Sequence, residues 1–178
     1  MACEDVLMAG FGGQGVLAIG KLLAKSAMEE GREVTWLPSY GPEMRGGTAN
    51  CLVIIDDEPI GSPVVKRMRA ALVMNKQSID KFEPSVVEGG LLVVNTSLID
   101  RRAARQDLRA IYVPATGIAE KEGTARAANM VMLGTYVGAT GIVKPATVEH
   151  AIEETFAAKK GAGEINIRAF RRGLENAG

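Results

Sequence analysis

The chain has 178 residues, of which 47% are hydrophobic and 24% charged, with 21 Lys+Arg against 21 Asp+Glu. That length supports one globular domain, residues 1–178, able to bury roughly 70% of the surface its unfolded form would expose. A formal net charge of zero gives no basic excess for nucleic acid or an anionic membrane.

The first element reads DVLMAG. Val6 to Ala9 form a short apolar run, as in a strand buried on both faces. The glycine-rich GFGGQG of residues 10–15 follows, and then Val16, Ile19, Leu23 and Ala27 recur at helical spacing. Gly31 suits the C′ position that ends such a helix. REVTWL is the second strand, with Val34, Trp36 and Leu37 as its apolar members. A strand–helix–strand unit implies a right-handed crossover and a parallel pair.

PSYGPEMRGGTAN, residues 38–50, is a long stretch of turn formers. CLVIID is a strand, and DDEPIGSP a loop with room for a short edge strand. AALVMN is a strand, followed by a helical stretch over Gln77–Phe82. GGLLVVN and LRAIYVPA are two further strands. Two or three helices close the chain: one segment rich in small residues that include Gly134 and Gly138, one over Ala146–Ala158, and one around Ile167–Leu174. Alternating strands and helices argue for a Rossmann-like, three-layer α/β/α open sheet. The sheet should be mostly parallel, with an antiparallel edge allowed.

Gly10, Gly12 and Gly15 match a GxGxxG spacing, with Gly13 and Gln14 between. The first glycine allows a tight turn, the second lets a phosphate approach the backbone, and the third brings helix and strand together. A dinucleotide site would also need an acid at the end of the second strand, for the ribose hydroxyls. That strand ends Trp36-Leu37-Pro38-Ser39, and Glu30 and Glu33 belong to its other end. NAD is therefore disfavoured. Two readings stay open: a loop that only permits a tight strand–helix turn, and a loop that meets a phosphate or another anion, including one from coenzyme A.

The second glycine segment should emerge at the same carboxyl edge, where ligands of open α/β sheets gather. Arg45 offers a planar fork suited to a carboxylate or phosphate. Glu43 could orient it or face a neighbouring subunit, and Asn50 could pin the loop to the next strand. Against this stands a solvated loop whose Arg–Glu pair contributes little.

GFGGQG followed by PSYGPEMRGGTANC resembles the gamma subunit, or gamma domain, of the 2-oxoacid:ferredoxin (acceptor) oxidoreductases. The similarity extends through Ser62-Pro63, Pro114 and the ANMVMLG of residues 128–134. Within that family the chain looks most similar to the 2-oxoglutarate type, although pyruvate, branched-chain and indolepyruvate types share the motifs. The resemblance implies a multi-subunit enzyme that oxidatively decarboxylates a 2-oxoacid to an acyl-coenzyme A. Thiamine diphosphate, Mg²⁺ and iron–sulfur clusters would lie on alpha, beta or a small ferredoxin-like delta subunit. Carried over by motif, Gly10, Gly12, Gly13, Gln14 and Gly15 would form a loop near coenzyme A or a subunit interface. Tyr40, Gly41, Glu43, Arg45, Gly46, Gly47 and Asn50 would form the second. No residue is assigned a catalytic role, and none a metal.

The residues agree by subtraction. Two cysteines, Cys3 and Cys51, cannot supply the four ligands of a cluster. His150, the single histidine, stands on an expected helix between Glu149 and Ala151, without a partner pattern for nucleophilic catalysis. Gly-Asp-Gly of thiamine sites and the Gly-Lys-Ser/Thr of a P-loop are absent. The isolated chain is expected to be inactive, and it could form a homodimer. Met130–Leu133 either pack the core or offer an apolar face. No apolar run approaches the roughly 18 residues needed to span a bilayer. Glu4 and Asp5 stand where a secretion signal would be basic, so a cytoplasmic location is expected.

Overall fold

A computed structural model of the chain describes residues 3–39, 48–159 and 161–178. Strand β1 (Glu4–Phe11) enters the glycine loop, and helix α1 (Val16–Glu29) leaves it. Ile19, Leu22 and Leu23 of α1 are buried against the sheet, each stabilising it by about 1.5–3 kcal/mol. The helix lies close because Gly20 has no side chain. A Cβ there would stand 2.5 Å from Cys51 Sγ. The helix ends as expected at Gly31, which has φ +78°. The Gly31 amide donates to the Met28 carbonyl at 2.9 Å and the Arg32 amide to that of Ala27 at 3.0 Å, the paired bonds of a glycine-terminated helix.

Strands β2 (Glu33–Ser39), β3 (Thr48–Asp56), β4 (Met68–Val73), β5 (Val86–Asn95) and β6 (Arg109–Val113) complete a sheet of order β2-β3-β1-β4-β5-β6. Among the described residues, β3 alone runs against the others. The expected β1–β2 neighbours do share a direction, but β3 lies between them, pairing Phe11 with Thr48 and Glu4 with Ile55 on one side. The reversed strand is thus inside the sheet and not at its edge. The loop before Ser62-Pro63 holds no strand.

The two faces are unequal. Helices α3 (Ala115–Glu122), α4 (Ala128–Thr140), α5 (Pro145–Phe156) and α6 (Ala162–Glu175) join α1 over one face, so among the described residues four α-helices close the chain where two or three are expected. Among the described residues, the other face carries α2 (Lys76–Phe82), a 3-10 turn at Glu83–Ser85 and the segment around Ile99 and Leu108. α4 is buried on all sides from Ala128 to Val137. Met130, Val131, Met132 and Leu133 are each no more than 1% exposed, so this stretch fills the core and offers no apolar face. α4 and α6 meet backbone to backbone. A Cβ on Gly134 would lie 2.0 Å from the Phe170 carbonyl oxygen, and one on Gly173 2.1 Å from that of Val131. Thr135 Oγ1 bridges the pair by donating toward the carbonyls of Val131 and Gly173.

Candidate functional site

From β1 the chain winds one way to β2 and β3, and from β4 the other way to β5 and β6. The carboxyl ends of β1 and β4 therefore flank the crevice where ligands of open α/β sheets bind. The glycine loop stands at this crevice. Phe11 to Gln14 form a turn closed by the Gln14 amide on the Phe11 carbonyl at 3.1 Å. Gly13, at φ +95°, takes the left-handed position such a turn requires. Gly15, at φ +73°, is the N-cap of α1. Its carbonyl accepts the Ala18 and Ile19 amides.

The side chain of Gln14 folds back over the loop. Its Oε1 accepts the Phe11 amide at 2.6 Å and the Asn75 Nδ2 at 3.4 Å. This needs a bare Gly10, where a Cβ would come within 2.6 Å of that oxygen. Gln14 is thus a clasp that holds the turn. Asn75 follows the end of β4 by two residues and caps α2, accepting the Ser78 amide at 2.8 Å. Asn129, on the first turn of α4, donates to the Gly15 carbonyl at 3.1 Å. Asn95, at the end of β5, accepts the Ser97 and Ala115 amides and donates to Thr116 Oγ1. Three asparagines from three different parts of the chain thus brace one rim, and no local motif marks them in the sequence. Each looks like an ordinary turn residue until the topology aligns them.

Of the second glycine segment, Tyr40, Gly41, Glu43, Arg45, Gly46 and Gly47 lie outside the described residues. The flanks are placed. Thr48 is level with Phe11, and Asn50 pairs with Ala9 on one side and Ser39 on the other. Both ends of this segment therefore sit on the rim that carries the glycine loop. Glu33 pairs with Asp56 at the opposite rim, and Glu30 accepts the Lys144 amide there. Neither acid reaches the crevice, and β2 ends without one.

Residues 10–15 carry no titratable side chain. The rim offers backbone amides and the amino end of a 14-residue helix, both suited to an anion. Cys51 is buried, and burial pushes its thiol up to about 12. Cys3 is pushed up to about 11 by burial and by Asp56. His150 is exposed on α5, 3.5 Å from Glu154. Among the described residues no group of three His, Cys, Asp or Glu side chains could hold a metal ion. Nor is any helix there long and apolar enough to cross a membrane.

Residues 5–176 match the family described as pyruvate ferredoxin/flavodoxin oxidoreductase. The chain belongs to this family. Ketoisovalerate oxidoreductase subunit VorA of Methanothermobacter thermautotrophicus is 44% identical over 172 residues, covering 96% of the chain and 35% of the relative. 2-Oxoglutarate synthase subunit KorC of Methanocaldococcus jannaschii is 34% identical over 175 residues, covering 97% and 92%. The crystal structure of the keto/oxoacid ferredoxin oxidoreductase gamma subunit from Geobacter sulfurreducens superposes with a TM-score of 0.88 at 28% identity, covering 99% of this chain and 97% of that one. The gamma-type resemblance carried by the two glycine motifs is therefore borne out. The chain spans about a third of the ketoisovalerate relative and nearly all of the 2-oxoglutarate one. Family membership extends across both substrate types, and the greater of these two identities is to the ketoisovalerate relative.

Proposed function

We propose that this chain is the gamma subunit of a multi-subunit oxidoreductase that converts a 2-oxoacid to an acyl-coenzyme A and passes the electrons to ferredoxin or a related acceptor. What supports the reading most is the family match over residues 5–176, with the family's first glycine motif standing at the crevice between β1 and β4. The substrate class is a 2-oxoacid, with 2-oxoglutarate and branched-chain acids as its two candidates. Work takes place in the cytoplasm, with alpha and beta subunits and a ferredoxin-like delta subunit as partners.

The chain's part is to dock and to bind, not to react. Iron–sulfur clusters need several thiolates, and this chain has two cysteines, one of them fully buried. Clusters therefore belong to the partners, and the family resemblance implies the same of thiamine diphosphate. Coenzyme A suits this chain better. Its phosphates would meet the Gly12–Gly13 turn and the amides that open α1, with Arg45 as a cation from the second segment. Glu43 would orient Arg45. A dinucleotide is disfavoured because no acid stands at the end of β2.

Co-purification from the native source, followed by reconstitution from separate subunits, tests the assignment. Thiamine- and cluster-bearing subunits are expected to accompany the chain, and the chain alone is expected to turn over no 2-oxoacid. In the assembled enzyme, Arg45→Ala should raise the KM for coenzyme A several-fold with little change in kcat. A thermal shift of the isolated chain with NAD but not with coenzyme A would replace this reading with a stand-alone dinucleotide-binding protein.

A further inference from the structure

A groove of about 710 Å³ runs between α1, β2 and the end of α5, with Leu22, Met28, Trp36 and Phe156 among its walls. It opens on the outer side of α1 and contains none of residues 10–15, although it reaches Ala18 in the helix's first turn. Met28 on its lip is 64% exposed, and Leu37 on β2 is 37% exposed. β2 is also the last strand of the sheet among the described residues. An open edge of this kind is usually blunted by charge or covered. Between Glu33 at one end and Pro38 at the other, its centre reads Val34-Thr35-Trp36-Leu37, with no charge.

The rim adds a sign. Lys25 is held by Glu154 and Glu29. Lys21 lies 5.0 Å over the Trp36 ring and has no carboxylate partner among the described residues. We infer that the β2 edge and the groove beside it receive an extended segment of a partner subunit, carrying apolar side chains at alternate positions and one carboxylate opposite Lys21. Backbone pairing along β2 would send every second side chain of that segment to the face on which Trp36 lies, and so into the groove. A second copy of this chain fits less well. Antiparallel pairing of two β2 strands centred on Trp36 would set Lys21 against its own copy near the axis and leave both cations without a carboxylate.

This inference rests on the subunit reading, and its test separates the two. The chain is assembled with its partner subunits, and amide exchange is followed across residues 33–39. Exchange there should slow at least about tenfold on assembly. Met28→Asp and Lys21→Glu should each weaken assembly at least about tenfold, while the unfolding temperature of the isolated chain stays near that of the parent. A zero-length carbodiimide cross-link should join Lys21 to a carboxylate of a different subunit. Normal assembly by both variants, with unchanged exchange at 33–39, would overturn the groove and leave the subunit reading standing. A cross-link from Lys21 to a second copy of the chain would overturn the heterologous occupant. Failure of the parent chain to assemble with those subunits at all would remove both.

Discussion

Gly15 carries two requirements at once. Its φ of +73° is one that side-chain-bearing residues rarely adopt, and a Cβ there would lie 2.3 Å from Asn129 Nδ2. Gly15→Ala should therefore destabilise the fold by about 1–3 kcal/mol, from backbone strain together with the displaced α4 contact, read as a lower midpoint in urea at unchanged slope. A midpoint equal to that of the parent would show that Asn129 yields freely. The strand–turn–helix around Gly15 was legible in the sequence because glycine spacing and helical periodicity are local signals. Asn75, Asn95 and Asn129 were not, because what they share is a rim, and the rim is made by strand order. Gln14 was legible only as a motif member. Its role as a clasp depends on the bare Cα of Gly10, four residues earlier.

Between elements, the decisive contact is that of α4 with α6. Gly134 and Gly173 let the two backbones touch, and Gly138 receives Ala177 at the end of the same seam. Gly173→Ala should cost roughly 1–3 kcal/mol or more by forcing the helices apart, measured by chemical unfolding. A loss below about 0.5 kcal/mol, the usual range for a surface change, would mean the seam is loose. The small residues of the last third of the chain pointed toward such packing but hid the helix boundaries. α4 is buried on every side, so it lacks the one-sided apolar stripe by which a helix is recognised. Gly123, at φ +128°, separates α3 from the turn before α4. The direction of β3 was equally hidden. CLVII, residues 51–55, is apolar throughout, and such a run reads the same whichever way the strand is inserted.

At the scale of the molecule, the balanced charge resolves into ion pairs that titrate in opposing directions. Arg172 beside Glu122 holds that carboxyl below its ordinary range, and Arg101 and Arg105 do the same for Asp80 and Asp107. Burial raises Glu4 and Asp5. A depressed carboxyl contributes stability that is complete above its unfolded pKa and is lost as pH falls through its folded pKa. A raised carboxyl does the reverse, favouring the fold below its unfolded pKa and losing that gain as pH rises through its folded value. Two of these depressed groups, Glu122 and Asp80, tie separate segments together, so the unfolding temperature should fall as pH drops from 7 to 3. Glu122→Gln should flatten that fall, since it frees α6 from a pH-dependent tie to α3. Asp5→Asn should act oppositely, raising stability at pH 7, because the amide oxygen still accepts the Arg69 amide that Asp5 accepts at 2.7 Å. Parallel pH profiles for all three proteins would mean that other groups govern acid unfolding.

The reversed strand inside the sheet has a bearing on how the chain is made. Strands β1 and β2, both within the first 39 residues, are joined only through β3 between them, so no emerging portion of the chain short of Asp56 can close its own sheet. The rim that holds the glycine turn waits longer still during synthesis, because Asn75 and Asn129, which brace it, follow β3 in the chain. A shortened chain ending before β3 would present two orphaned strands to whatever lies nearby.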